Sequence, residues 1–257
     1  MGELLPREDE TLDTLFGGRL KVLQKRNGFR FAMDPVLLTY FAKPLKGLVL
    51  DLGTGCGIIP LILAARGDVE KAVGMDIQEE LIQMARRSAI INSLEEKVQF
   101  LAGDFRRIGE FFGPQSFSHV LSNPPYHSVC HGRPSPKSPK ALARQDLQGD
   151  LRDVIGAARY VLGTKGRLWL TYSPGRLAFL VESLKSGGFE PKTMRFVHGR
   201  EDLPATVVLV EAVKGGKEGL KVLPPLILYT REGDYTEELQ LVYSMLGGSF
   251  PREKGAT

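Results

Sequence analysis

The pentapeptide Ser122-Asn123-Pro124-Pro125-Tyr126 gathers two hydrogen-bond acceptors and an aromatic face in one short stretch. Its two prolines each remove a backbone donor and fix the local course, so the Asn123 side-chain oxygen and the Pro124 carbonyl can point at one small donor. An exocyclic NH2 group has two hydrogens and satisfies both acceptors. Tyr126 then offers a ring on which a planar base can stack. The plainer reading is a Pro-Pro turn carrying a surface tyrosine. Upstream, Asp51-Leu52-Gly53-Thr54-Gly55-Cys56-Gly57 has the glycines that let a backbone turn sharply and approach a ligand closely. No Gly-Lys-Ser or Gly-Lys-Thr follows, which argues against a triphosphate loop, and the glycine spacing differs from G-x-G-x-x-G. A tight strand-to-helix turn without a ligand is the alternative. Asp76, in Gly74-Met75-Asp76-Ile77, can accept the two hydroxyls of a ribose, or simply cap a helix. Asp104-Phe105 can offer an acid to an adenine amino group with an aromatic face beside it.

These motifs need a scaffold that brings them together. From about residue 47 short β-branched or leucine-rich runs alternate with segments of helical period, the pattern of a parallel α/β sheet. Strands are expected over 48–52, 71–76, 98–101, 119–122 and 166–172, and helices over 58–66, 79–92, 151–162 and 177–186. In the helix over 79–92 the apolar residues Leu81, Ile82, Ala85, Ala89 and Ile90 recur at three- and four-residue spacing. Runs at 189–197 and 205–213 follow one another without a helix and predict an antiparallel pair closing one edge. Each motif falls at the carboxyl end of a successive strand, where ligands collect in open α/β sheets. Before residue 47, Asn27-Gly28 between alternating segments over 20–24 and 26–31 predicts a hairpin turn. The division expected is an N-terminal extension over 1–46 and a larger domain over 47–257 ending in a tail with an edge strand over 226–230 and a helix over 236–246. The segment 132–140, with three prolines, is expected to be a mobile loop.

Composition sets bounds. The 257 residues are 42% hydrophobic and 25% charged, enough apolar material for a real core and too balanced for global disorder. The run over 58–65 is far short of the roughly 20 residues that cross a bilayer, and an acidic start replaces the basic patch of a secretory signal. A cytoplasmic protein is expected. Cys56 and Cys130 make no disulfide framework. His127, Cys130 and His131 lack a second pair to complete a zinc site, so no metal is expected. Net charge is only +4, but two segments concentrate it: Arg19, Lys21, Lys25, Arg26 and Arg30, then Arg133, Lys137, Lys140 and Arg144, each without an intervening acid. Such clusters are either solvated surface or contacts for phosphates.

Taken together, Asp51 to Gly57, Asp76, Asp104 and Asn123-Pro124-Pro125-Tyr126 resemble the S-adenosylmethionine-dependent N-methyltransferases of the amino-group class. The stretch from Gly28 to Leu38 and the tail elements Pro224-Pro225-Leu226 and Asp234-Tyr235-Thr236 are similar to the bacterial enzymes that methylate N6 of the adenosine beside the anticodon of valine tRNA. The resemblance covers roughly 15–245. It implies a Rossmann-like class I fold, with a mostly parallel seven-stranded sheet, an antiparallel pair at one edge and a small N-terminal extension. It implies S-adenosylmethionine as cofactor, held by Arg30, Asp34, Asp51, Gly53, Gly55, Gly57, Asp76, Ile77, Asp104, Phe105 and Asn123, with Asn123, Pro124 and Tyr126 as the catalytic set. The two basic segments would then contact RNA, most simply a tRNA. Three alternatives stay open: a guanine amine in ribosomal RNA, a protein glutamine amide, or a catalytically silent RNA-binding scaffold.

Overall fold

The computed structural model describes residues 5–27, 30, 32–43, 45–124 and 150–246. The chain opens with an antiparallel hairpin, β1 (Glu10–Leu15) and β2 (Leu20–Lys25), followed by α1 (Asp34–Phe41). Then β3 (Leu48–Leu52), α2 (Ile58–Arg66), β4 (Lys71–Asp76), α3 (Glu79–Ile91) and β5 (Val98–Ala102) alternate. A 3-10 segment, Phe105–Glu110, leads to β6 (Phe117–Ser122). After residue 149 come α4 (Leu151–Val161), β7 (Leu162–Tyr172), α5 (Leu177–Ser186), β8 (Phe189–His198) and β9 (Ala205–Lys214). Two-residue strands β10 (Lys221–Val222) and β11 (Leu226–Ile227) and the helix α6 (Glu237–Ser244) end the described chain.

The main sheet runs β8-β9-β7-β6-β3-β4-β5, with β9 antiparallel to both neighbours and the rest parallel. This is the seven-stranded, Rossmann-like class I arrangement, with the antiparallel pair β8 and β9 where it is expected. The outer side of β8 is further covered by β10 and β11, which pair with it in parallel. Side chains alternate across the sheet, as a strand's two-residue period requires. Val49, Ala72, Leu121 and Leu209 enter the core beneath α1, α2 and the hairpin, whereas Leu50, Val73, Val120 and Val210 enter the one beneath α4 and α5. α2 is buried from Ile58 to Ala64 because it lies between the sheet, α1 and β2, which explains its apolar residues on every face. Phe16, Leu20, Val22, Val36, Leu37 and Leu38 join that same core, so the residues before 47 pack as part of it.

Three local expectations change. The hairpin that contains β2 turns at Gly17 and Gly18, both at positive φ, and its ladder ends at Lys25; Gly28 of the expected turn and Phe29 after it lie outside the described residues. Ile90 is solvent-exposed, whereas Ser88, on the buried side of α3, donates no apolar surface but accepts from the Leu23 N–H at 2.9 Å. β7 begins directly at Leu162, where α4 ends, rather than after a loop. The Pro-rich segment 132–140 lies outside the described residues. None of the helices among the described residues is long and apolar enough to cross a membrane.

Candidate functional site

Strand order reverses between β3 and its two neighbours, β4 and β6, and the crevice at such a switch point is where α/β sheets take ligands. The glycine loop crosses it. Gly53 and Thr54 donate their backbone N–H groups to the Met75 carbonyl at 2.9 and 3.0 Å, and Gly55 donates to the Asp76 carboxylate at 2.9 Å. Gly53, Gly55 and Gly57 all have positive φ, a conformation that side-chain-bearing residues adopt at a cost. At Gly57, which starts α2, a Cβ would also lie 2.7 Å from the Phe100 ring and 2.8 Å from the Ala85 methyl.

Asp51 and Asp76 stand at the ends of adjacent strands, and their environments differ. Asp76 is buried but accepts from Gly55 N–H and, at 2.9 Å, from Gln78 N–H. Burial raises its pKa, and these backbone donors temper the rise. Asp51 is buried with neither carboxylate oxygen in hydrogen-bond geometry with a described residue. Burial pushes its pKa up from the ordinary 3.8 to about 7; the nearby Thr54 hydroxyl, itself outside hydrogen-bond geometry, offsets part of this and the Asp76 charge adds to it. A buried carboxylate without donors is suited to a ligand that brings a cation or N–H groups. Cys56, between them, is packed in the core, and burial pushes its thiol up to about 12, with Asp76 and Asp13 adding to the effect.

The remaining expected residues are held in different ways. Ile77 is half-buried and follows Asp76 at the end of β4. Asp104 precedes the 3-10 segment and accepts from Arg106 through its backbone N–H and guanidinium, and this hydrogen bonding lowers its pKa. The Phe105 ring belongs to the core on the α4 side rather than to open surface. Asn123 follows β6 directly, and its side-chain oxygen accepts a hydrogen bond from the Thr171 hydroxyl of β7. Pro124 is buried beside it. Tyr126 and the basic residues Arg133, Lys137, Lys140 and Arg144 lie outside the described residues, as do His127, Cys130 and His131. Asp34 begins α1, half-buried, next to Pro35. Arg30 is engaged with β1: it pairs with Asp13 and donates to the Thr11 hydroxyl at 2.9 Å and the Lys25 carbonyl at 3.1 Å.

The first basic segment is acid-free only along the sequence. In space Lys25 pairs with Asp9 at 2.6 Å and Glu80 at 3.2 Å, so two of its five cations, Lys25 and Arg30, meet carboxylates supplied by β1, α3 and the residues before them. Arg19 donates to the Leu246 carbonyl at 3.0 Å, and Lys21 and Arg26 are exposed. A different cationic face, not foreseen from the sequence, borders the end of β7: Arg176 lies 4.4 Å from the Phe179 ring centre and 5.7 Å from that of Tyr172, and Arg152 lies 5.2 Å from Phe179. Thr171 and Asp13 were also invisible as site residues. The one clue to Thr171 is a small polar residue in the otherwise bulky run Leu168-Trp169-Leu170-Thr171-Tyr172.

Residues 34–174, more than half of the chain, match the family model of the methyltransferase small domain. The chain belongs to that methyltransferase family. It is 30% identical over 167 residues to a tRNA1(Val) (adenine(37)-N6)-methyltransferase of Porphyromonas gingivalis, covering 62% of this chain and 64% of that one. It is 26% identical over 170 residues to a release factor glutamine methyltransferase of Deinococcus radiodurans, covering 61% of this chain and 56% of that one. The chain thus spans less than two thirds of the length of both curated relatives. A crystal structure described as a predicted O-methyltransferase from Agrobacterium tumefaciens superposes with a TM-score of 0.68 at 24% identity, over 85% of this chain and 98% of that one, and shares the fold.

Proposed function

We propose that this family member transfers the methyl group of S-adenosylmethionine to the exocyclic N6 amine of an adenosine in tRNA, in the anticodon loop beside the anticodon. The observation that carries the reading is a carboxamide acceptor, Asn123, following β6, beside a strand, β3, whose Asp51 carboxylate is buried without donors. The donor-poor Asp51 and the glycine loop fit a cofactor with a cationic amino-acid end, and Asp76 retains acceptor capacity for a ribose. When bound, that cofactor supplies an already activated methyl group. An adenine amine is a poor nucleophile because its lone pair is delocalised into the ring. Asn123 and the Pro124 carbonyl, by accepting its two hydrogens, favour the geometry in which that pair is available and disperse the positive charge that develops on nitrogen. No strong base is required beforehand. The base must leave its stack to enter, and Tyr126 would hold its face. The N-terminal extension, with Arg30 and Asp34, and the basic segments would help hold cofactor and RNA, orienting phosphates rather than reading sequence.

A second reading, methylation of a glutamine amide, is favoured by one specific observation: the carboxylates on Lys25 and Arg30 reduce the cationic character of the face expected to meet RNA. The glutamine methyltransferase relative supports the same reading. The discriminating experiment is single-turnover methylation of a valine tRNA anticodon stem-loop, of the same hairpin with guanosine at the target position, and of a glutamine-containing peptide. Transfer to the adenosine hairpin is expected, with Asn123→Ala lowering turnover by about 100-fold or more while S-adenosylmethionine still binds. Transfer to the peptide or to the guanosine hairpin instead would overturn the adenine reading.

A further inference from the structure

We propose that Thr171 is a positioning residue for the methyl-acceptor site, its hydroxyl fixing the orientation of the Asn123 carboxamide. The proposal deepens the function proposed above and rests on Asn123 receiving the acceptor amine. β6 and β7 run parallel, and their last register pair is Ser122 with Leu170. One residue further on, backbone pairing gives way to a side-chain bond, Thr171 to Asn123. Thr171 is fully buried on β7, so its hydroxyl proton must go to an acceptor inside the protein. The Asn123 oxygen is that acceptor.

The consequence is orientational. The terminal torsion of an asparagine is broad and nearly two-fold, so a carboxamide held by nothing presents its oxygen or its NH2 to a given point with similar ease. Only the oxygen is useful against an amine that must give up its hydrogens. With its own proton committed to that oxygen, the Thr171 hydroxyl sets the plane of the amide; a flipped carboxamide would donate its NH2 to the hydroxyl oxygen but leave the buried hydroxyl proton without its acceptor. A carboxamide oxygen has acceptor capacity for two hydrogens, so the role of Asn123 toward a substrate is compatible with the Thr171 contact. Preorganisation of this kind acts on the transition state, where the charge on nitrogen makes the acceptor count most.

The test compares Thr171→Val, which keeps the shape and removes the hydroxyl, with Thr171→Ser, which keeps the hydroxyl. Methyl transfer from labelled S-adenosylmethionine is followed in parallel on a valine tRNA transcript and on total protein from cells lacking the gene. Thr171→Val is expected to lower kcat about tenfold or more, with the KM for the acceptor, the Kd for S-adenosylmethionine and the Tm nearly unchanged. Thr171→Ser should recover most of the lost turnover, and Thr171→Val should add little in an Asn123→Ala background. A Thr171→Val enzyme with full kcat overturns the proposal, as does a loss that serine fails to recover or that comes with a matching fall in Tm. Because both acceptor pools present an NH2 group, methylation confined to protein would sink the adenine reading while the Thr171 effect is still read on that pool. An enzyme that labels neither pool refutes both.

Discussion

Replacing Asp51 by asparagine should change how stability depends on pH, in a direction and amount that follow from burial. The folded protein holds the Asp51 proton up to about pH 7, whereas the unfolded chain releases it near 3.8. Below pH 4 both states are protonated and the residue has no pH-linked effect. Between pH 4 and 7 the folded state binds the extra proton, so stability falls as pH rises, by about 1.4 kcal/mol per pH unit. Above pH 7 the whole difference, about 4 kcal/mol, counts against the wild type. Asparagine carries no charge to desolvate; its unpaired buried amide costs about 1–3 kcal/mol at every pH. Urea unfolding of wild type and Asp51→Asn at pH 5, 6, 7 and 8 should therefore give curves that converge or cross, with the variant gaining on the wild type as pH rises. Parallel curves across that range would refute the desolvation argument, since every other titrating group is common to both proteins. On the proposed function the same change should weaken S-adenosylmethionine binding, so that the cofactor raises the Tm of the wild type more than that of the variant.

Gly57→Ala should destabilise the protein by about 2–4 kcal/mol, from a left-handed backbone and a Cβ pressed on Phe100 and Ala85, measured by chemical denaturation. Glu10→Ala leaves Arg87 largely buried without the carboxylate it grips at 2.8 and 2.9 Å; a loss of about 3 kcal/mol or more is expected, with faster hydrogen exchange across β1 and β2 before global unfolding. In a Cys130→Ser protein, Cys56 should fail to react with a thiol reagent at pH 8 until urea unfolds the chain, because burial holds its thiol near 12.

The sheet was legible because glycines and strand-length apolar runs punctuate it: α2 and β4 begin and end where the sequence places them, α2 between the left-handed glycines Gly57 and Gly67. The hairpin was not. β1 is a polar strand whose alternation carries little hydrophobic signal, and its anchor, Glu10 on Arg87, joins residues 77 positions apart. Asp34-Pro35 is a sound start signal for α1, but the alternating segments before it draw attention to strands instead. At the site, the strand-end positions of Asp51, Asp76 and Asn123 follow from the chain pattern. Their partners do not. That Asp76 braces the glycine loop, that Asp51 lacks donors and that Thr171 holds Asn123 depend on which strands are neighbours, and strand order is a long-range property.

One cross-strand bond ties these pieces together: the Ser122 hydroxyl donates to the Leu52 carbonyl at 2.7 Å, one residue past the last β3 to β6 ladder pair, Asp51 with Leu121. At a switch point the connections leave to opposite sides of the sheet, and here a side chain takes over as a strut where the backbone ladder stops. The glycine loop after Leu52 and the acceptor motif after Ser122 therefore start from two points held at a fixed separation. A ligand entering the crevice need not draw the two motifs together, so its binding carries no ordering cost for that gap. Any hinge between the two loops must lie beyond these two residues, and their spacing at the crevice is set by the β3 to β6 ladder with this hydroxyl bond at its end.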